Sequence, residues 1–223
     1  MILIYRILIN FTLILSPLII AFRILKNKED PKRFKEKFCF FTKKRKKGNL
    51  IWFHGASVGE IKSIVPLIEK LEKQKKINQI LVTSSTLSSA KIFAKFKFKK
   101  TIHQFYPIDE NQLTKKFLNY WKPNIITFID SEIWPNMLLN IKKKSIPNIL
   151  LNARITKKSY KRWNYFNSFS KKIFNCFDIT FPQNKETIKH LKNLNVKKIK
   201  FLGNLKFSED KYQSKSLVSL KVK

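Results

Sequence analysis

A chain of 223 residues, 43% hydrophobic and 13% aromatic, can bury a sizeable core and is too apolar for a disordered basic tail. Four glycines exclude Gly-rich and collagen-like architectures, and two cysteines, Cys39 and Cys176, are too few for a disulfide framework or a zinc cluster. The net charge of +33 favours anionic partners: a membrane surface, a phosphorylated substrate or nucleic acid. Of the 47 basic residues only 6 are Arg, which argues against a dedicated nucleic-acid reader, because such proteins use the guanidinium fork on phosphate and guanine.

The first element is apolar. Ile7 to Phe22 carries no charge and is bracketed by Arg6 and Arg23. As a helix it covers about 24 Å, and taken from Ile2 to Leu25 with both arginines snorkelling it is long enough to cross a bilayer. Pro17 within it is better tolerated in a membrane than in water. No small-residue cleavage motif follows, so a removed leader is not expected. A membrane anchor over 1–25 is the expectation, a buried core helix the alternative. The basic run that follows places the C-terminal side on the cytoplasmic face by the positive-inside rule. Residues 26–48 read as a basic connector.

From Asn49 the pattern alternates between short apolar runs and amphipathic stretches. Strands are predicted at 50–54, 79–83, 102–106, 125–129, 147–151, 178–181 and 198–202. Helices are predicted at 60–73, 87–97, 110–121, 135–144, 157–176 and 184–194. Seven strands separated by helices predict an α/β fold: a Rossmann-like parallel sheet with helices on both faces. Ligands then gather at the carboxyl ends of the strands. The tail, 208–223, is polar and reads as a linker or frayed end.

Four strand ends carry candidate chemistry. After the first strand, His54-Gly55-Ala56-Ser57-Val58-Gly59-Glu60 opens a helix. Gly55 and Gly59 permit a tight turn with exposed amides, Ser57 lies between them, and the helix start favours an anion. Glu60 at this mouth can accept a proton from a substrate hydroxyl; the alternative is a first-turn acid facing the helix dipole. After the fourth strand, Asp130, Ser131 and Glu132 precede Pro135, a residue suited to a first helical turn; Asp130 or Ser131 can equally be that helix's cap. After the fifth, Asn152-Ala153-Arg154 offers a rare Arg for a phosphate or for Glu132. After the last, Gly203-Asn204-Leu205-Lys206 offers a cation for developing negative charge. The three histidines are scattered and no ligand spacing occurs, so no metal site is expected. Tyr160, Trp163, Tyr165, Phe166 and Phe169 in a Lys-rich stretch suit either a membrane or nucleic-acid surface or a helix packed on the sheet.

Taken together, IWFHGASVGE (51–60), DSEIWPN (130–136), NARIT (152–156) and GNLKF (203–207) resemble, in order and spacing, the 3-deoxy-D-manno-octulosonic acid (Kdo) transferases of Gram-negative bacteria. The resemblance covers about residues 1–207 and includes the N-terminal apolar segment. It implies the N-terminal half of a GT-B glycosyltransferase, anchored at the cytoplasmic face of the inner membrane near anionic lipid. It implies inverting transfer of Kdo from CMP-Kdo to a 6′-hydroxyl of a lipid A precursor, with no cofactor and no metal. Glu60 corresponds to the family's general base, and Glu132 and Lys206 to its second essential acid and a transition-state stabiliser; Gly55, Ser57, Gly59, Asn152 and Arg154 fall within the substrate-binding strings. Nucleic acid is not an expected partner. Family members carry a second domain with most of the CMP-Kdo contacts. The implied division is therefore anchor 1–25, connector 26–48, acceptor-side domain 49–207 and tail 208–223 at an interdomain hinge. A chain without the donor domain is expected not to catalyse transfer alone.

Overall fold

In the computed structural model, which describes residues 1–204, a six-stranded parallel sheet has the order β3-β2-β1-β4-β5-β6. The strands are β1 (Leu50–His54), β2 (Gln79–Ser84), β3 (Thr101–Phe105), β4 (Ile125–Ile129), β5 (Asn148–Ala153) and β6 (Ile179–Pro182). The apolar α1 (Ile2–Leu25) comes first. Then follow α2 (Val58–Glu72), α3 (Leu87–Phe93), α4 (Asn111–Trp121), α5 (Pro135–Lys143), α6 (Lys157–Tyr165), α7 (Asn167–Phe174) and α8 (Lys185–Asn193). The chain builds outward from β1 to β3, then returns to lay β4 on the other side of β1. That reversal leaves a crevice beyond the carboxyl ends of β1 and β4, where doubly wound sheets bind ligands.

Alternation along β1 divides the core. Leu50 and Trp52 face a cluster with Phe117 and Trp121 of α4, Met137, Leu138 and Ile141 of α5, and Ile173 of α7. Phe53 faces the opposite side, with Ile61, Ile64 and Ile68 of α2 and Phe93 of α3. Both faces of the sheet are therefore covered, as its strands of continuous apolar residues require.

Three details depart from the sequence expectation. Helix α2 begins at Val58 and runs through Pro66 without a break. The expected helix over 157–176 is two helices meeting at Phe166, whose φ of −109° and ψ of 49° leave the helical region. Only one bridge, Thr180 to Ile199, remains of the seventh strand. Phe201 and Leu202 beyond it are exposed, so the segment lacks the buried face that would hold a longer pairing.

Residues 26–48 are seated on the domain. Glu36, fully buried, accepts from Nε and Nη2 of Arg33 at 2.9 and 3.0 Å and from the Phe105 backbone N–H at 2.8 Å. Arg33 also donates to the His103 carbonyl, so the pair occupies hydrogen-bonding positions along the free edge of β3. Phe41 stacks on Tyr120 at 3.8 Å, and Arg45 donates to the Trp121 carbonyl at the end of α4. The basic run thus closes a sheet edge and a helix end before the first strand begins.

Candidate active site

The loop after β1 is shaped by the start of α2. Ser57 is the N-cap, and its hydroxyl oxygen accepts from the Glu60 N–H at 3.3 Å. The Glu60 carboxylate turns back over the same loop: Oε2 accepts from the Ala56 N–H at 2.7 Å and Oε1 from the Ser57 hydroxyl at 2.7 Å. This is the reciprocal logic of a capping box, shifted by one residue on the backbone donor. Both readings of Glu60 therefore meet in one side chain, since an ionised carboxylate has about four acceptor sites and only two are used here. A Cβ at Gly55 would lie 3.0 Å from the Glu60 Cβ and 3.4 Å from Oε2, so Gly55 gives the carboxylate its place. At Gly59 a Cβ would meet nothing within 4 Å; that glycine leaves the helix mouth open.

Across the crevice, Glu132 follows β4. Its Oε2 accepts from His54 Nε2 at 3.0 Å and from the Trp134 indole N–H at 2.9 Å. His54 is fully buried at the end of β1 and stacked on Tyr106 at 3.8 Å. Its Nδ1 lies 3.0 Å from the Thr83 hydroxyl, which accepts from the Trp52 indole N–H at 2.8 Å. A carboxylate only accepts, so His54 carries a proton on Nε2 towards Glu132. In the neutral ring Nδ1 then accepts a hydrogen bond from the Thr83 hydroxyl. The sequence sets aside a metal role for the scattered histidines and assigns His54 no other; its partners come from β2 and from the loop after β4. The one available signal was its place inside the IWFHGASVGE string.

The proton affinities of the two carboxyl groups are shifted in opposite directions. Burial pushes the Glu60 carboxyl up, and the neighbouring charges of Glu132 and Asp130 add to that shift against the Ser57 and Ala56 hydrogen bonds. Burial also acts upward on Glu132, but the hydrogen bond and charge of His54 and the Trp134 N–H overcome it and hold the group below its usual range. Paired titratable groups driven apart in this way are the pattern of an acid–base site.

The other sequence candidates fall into place around this pair. Asp130 and Asn152 both have left-handed backbone, with φ of 61° and 55°. Asn152 sits at the register shift between Leu151 and Ala153, and the Arg154 N–H donates to the Asp130 carbonyl at 3.1 Å. The NARIT string thus begins as a bulge tied to the loop after β4. The Arg154 side chain is exposed and is not among the hydrogen-bond partners of Glu132, which are His54 and Trp134. Pro135 opens α5 as expected, but neither Asp130 nor Ser131 caps it. Asp109, from the loop after β3, does so: Oδ2 accepts from the Asn136 N–H at 2.9 Å and Oδ1 from the Met137 N–H at 2.8 Å. Lys206 lies outside the described residues. Of the aromatic stretch, Tyr160, Trp163 and Phe169 pack on the core while Tyr165 and Phe166 are exposed. Among the described residues no group of three or more His, Cys, Asp or Glu side chains is arranged to hold a metal ion.

A family profile described as "3-Deoxy-D-manno-octulosonic-acid transferase (kdotransferase)" matches residues 32–209. The 3-deoxy-D-manno-octulosonic acid transferase of Rickettsia bellii is 37% identical over 193 residues, which are 86% of this chain and 46% of that protein. A probable mitochondrial 3-deoxy-D-manno-octulosonic acid transferase of Arabidopsis thaliana is 36% identical over 164 residues, 72% of this chain and 37% of its own length. The chain thus spans less than half the length of these relatives. Among solved structures, the UDP-N-acetylglucosamine 2-epimerase of Rickettsia bellii superposes with a TM-score of 0.53 at 14% identity, covering 76% of this chain and 48% of the epimerase; that likeness concerns the fold. With three of the family strings following β1, β4 and β5 and a profile match over most of its length, the chain belongs to the Kdo transferase family.

Proposed function

We propose that this chain forms the acceptor-side part of a glycosyltransferase that moves Kdo from CMP-Kdo to a hydroxyl of a lipid A precursor during lipopolysaccharide synthesis. The observation that carries the proposal is the pair of half-buried carboxylates at the strand-order switch, Glu60 pushed up and Glu132 held down. In the proposed reaction the acceptor oxygen forms a bond to the anomeric carbon of Kdo on the face opposite the leaving group, which inverts that centre. The bond from that carbon to the CMP phosphate oxygen breaks, and CMP leaves with the electron pair. The hydroxyl proton passes to Glu60, whose proton affinity burial raises above that of a free carboxyl, as a general base requires. Glu132, kept ionised by His54, supplies fixed negative charge beside the electron-deficient sugar carbon, and Lys206 is assigned to the charge developing on the departing phosphate. Gly55, Ser57, Gly59, Asn152 and Arg154 form the rim against which the acceptor's phosphorylated sugar would lie. The scheme invokes no cofactor. CMP-Kdo is held mainly by a donor-side domain, and transfer requires it.

A second reading, a membrane-bound module that binds lipid A precursor without chemistry, draws on the observation that both Glu60 oxygens already serve the α2 cap. A transfer assay separates the two. Membranes carrying the chain are given CMP-Kdo and lipid A precursor, with and without a donor-side half supplied as a second polypeptide. Transfer that needs the second polypeptide and falls at least a thousandfold in Glu60→Gln supports the catalytic reading, provided the variant melts within a few degrees of the parent. Full activity in Glu60→Gln would falsify the base assignment, and acceptor binding without transfer in any combination favours the module.

A further inference from the structure

Helix α1 is apolar nearly all round, but its two sides differ in exposure. Leu3, Ile4, Ile7, Leu8, Phe11, Ile14, Leu15, Leu18, Ile19, Phe22 and Leu25 are all exposed. At about 100° per residue they fall within one arc of roughly 160°. The shielded positions, among them Tyr5, Arg6, Ile9, Leu13, Ser16, Ile20 and Arg23, repeat at steps of three and four on the opposite side. The helix also touches the soluble domain near both ends. At its start the Tyr5 hydroxyl donates to Asp109 Oδ2 at 2.7 Å, and Arg6 donates to the side-chain oxygens of Asn136 and Asn111 at 3.0 and 3.2 Å. At its end Arg23 donates to the buried Glu29, which pairs with Lys37, and the Lys37 carbonyl accepts from the Ile108 N–H. Tyr5 and Arg23 are about 27 Å apart along the axis, yet their tethers converge on the neighbouring residues Ile108 and Asp109. A helix crossing a bilayer would carry one of these ends to the far side, away from the hydrated domain.

We propose that α1 lies in the plane of the membrane, tied to the domain near both ends, with its exposed apolar stripe sunk into the acyl boundary of an anionic leaflet. A stripe of eleven large apolar side chains exceeds what a soluble surface leaves uncovered and marks an interaction face. Charge identifies the occupant: the exposed Lys26, Lys28, Lys32 and Lys35 continue from its end, and the Lys26 ammonium sits 4.4 Å over the Phe22 ring, an apolar contact beneath a charge as at a lipid headgroup. The docking also has direction. Asp109 and Asn136 lie at the carboxyl edge of the sheet, the edge that carries Glu60 and Glu132, so the start of α1 brings the leaflet to the mouth of the candidate site. A lipid acceptor could then reach the crevice with its acyl chains still in the membrane.

Depth measurement tests the proposal without reference to catalysis. Nitroxide labels are placed at Leu3→Cys, Ile14→Cys and Leu25→Cys of the intact chain, with the parent, whose Cys39 and Cys176 are buried, as the blank. The labelled chains are bound to vesicles of phosphatidylethanolamine and phosphatidylglycerol, and relaxation by oxygen and by a water-soluble nickel complex is compared. Three similar shallow depths are expected. A deep Ile14 position flanked by two shallow ends would show a spanning helix and overturn the proposal, as would water-exposed labels or labels within dipolar range of one another across two copies. An Ile2→Cys variant gives an independent readout: an impermeant thiol reagent must reach it from the side of the domain, and reaction only from the opposite side refutes the in-plane geometry.

Discussion

At the scale of single residues, Glu60 shows how a helix start and a candidate general base are the same object. The capping geometry that orders the loop also fixes the carboxylate at the crevice, with acceptor capacity to spare. The two glycines of the string have separate tasks, and this yields a contrast. Gly55→Ala places a methyl group 3.0 Å from the Glu60 Cβ, so the side chain must shift and transfer should fall by one to two orders of magnitude. Gly59→Ala meets no protein atom and gains helix propensity, so thermal stability should hold or rise by about 0.5–1 kcal/mol. If Gly59→Ala nonetheless weakens acceptor binding, the open space there is substrate space; unchanged kinetics would remove Gly59 from the binding surface. Melting curves beside acceptor titrations of the two variants make the measurement.

Among the elements, α5 is the one whose position depends most on a remote group. Its first turn holds Pro135, its own preceding residues provide no side-chain cap, and Asp109 reaches across from the loop after β3 to do so. Burial pushes the Asp109 carboxyl up from 3.8 to about 7, against the hydrogen bonds from Tyr5, Asn136 and Met137. The folded protein therefore holds this proton over a range in which the unfolded chain has released it. Stability from this group is fully present below pH 3.8, declines as pH rises and is lost by about pH 7. Thermal melts from pH 5 to 8 should show the parent losing stability towards pH 7 and then levelling off. Asp109→Asn, which has no proton to lose, should flatten that slope while lowering stability throughout, because an amide offers one acceptor oxygen to two backbone donors. Parallel pH profiles of the two proteins would place the slope elsewhere.

For the whole molecule, charge and apolar surface act in different ranges. The net charge of +33 draws the chain to an anionic surface over a distance set by ionic screening, about 10 Å at 0.1 M salt. Burial of the α1 stripe is insensitive to that screening. Association of the intact chain with anionic vesicles should therefore survive about 1 M salt, where the Debye length is about 3 Å. The triple variant Phe11→Ser, Ile14→Ser, Leu18→Ser should bind at low salt and be released at high salt. Flotation of both proteins on vesicles across a salt series measures this. Equal release of parent and variant would make the attachment electrostatic alone.

Strand positions β1 to β6, the order of the helices and the apolar N-terminal segment were legible in the sequence because each is a local periodicity. Apolar runs of four to six residues bounded by turns and helical faces at steps of three and four survive whatever the tertiary context. The family strings were legible for the same reason, as contiguous residues at strand ends. The break at Phe166 and the loss of the seventh strand were not, because both depend on what faces the segment: Phe201 and Leu202 look like strand residues until no partner covers them. The contacts of His54 and Asp109 were hidden more deeply, since their partners stand 78 residues away at Glu132 and 27 away at Asn136. Sequence alone determined a parallel sheet covered on both faces and put acidic residues after its first and fourth strands, because hydrophobic period and chain order suffice for that; the strand order that makes those two strands neighbours came from the tertiary structure. Only the tertiary structure decided which carboxyl has its proton affinity raised and which lowered, and that α1 is tied to the domain near both ends, because proton affinity and docking are set by neighbours that the chain brings together from distant positions.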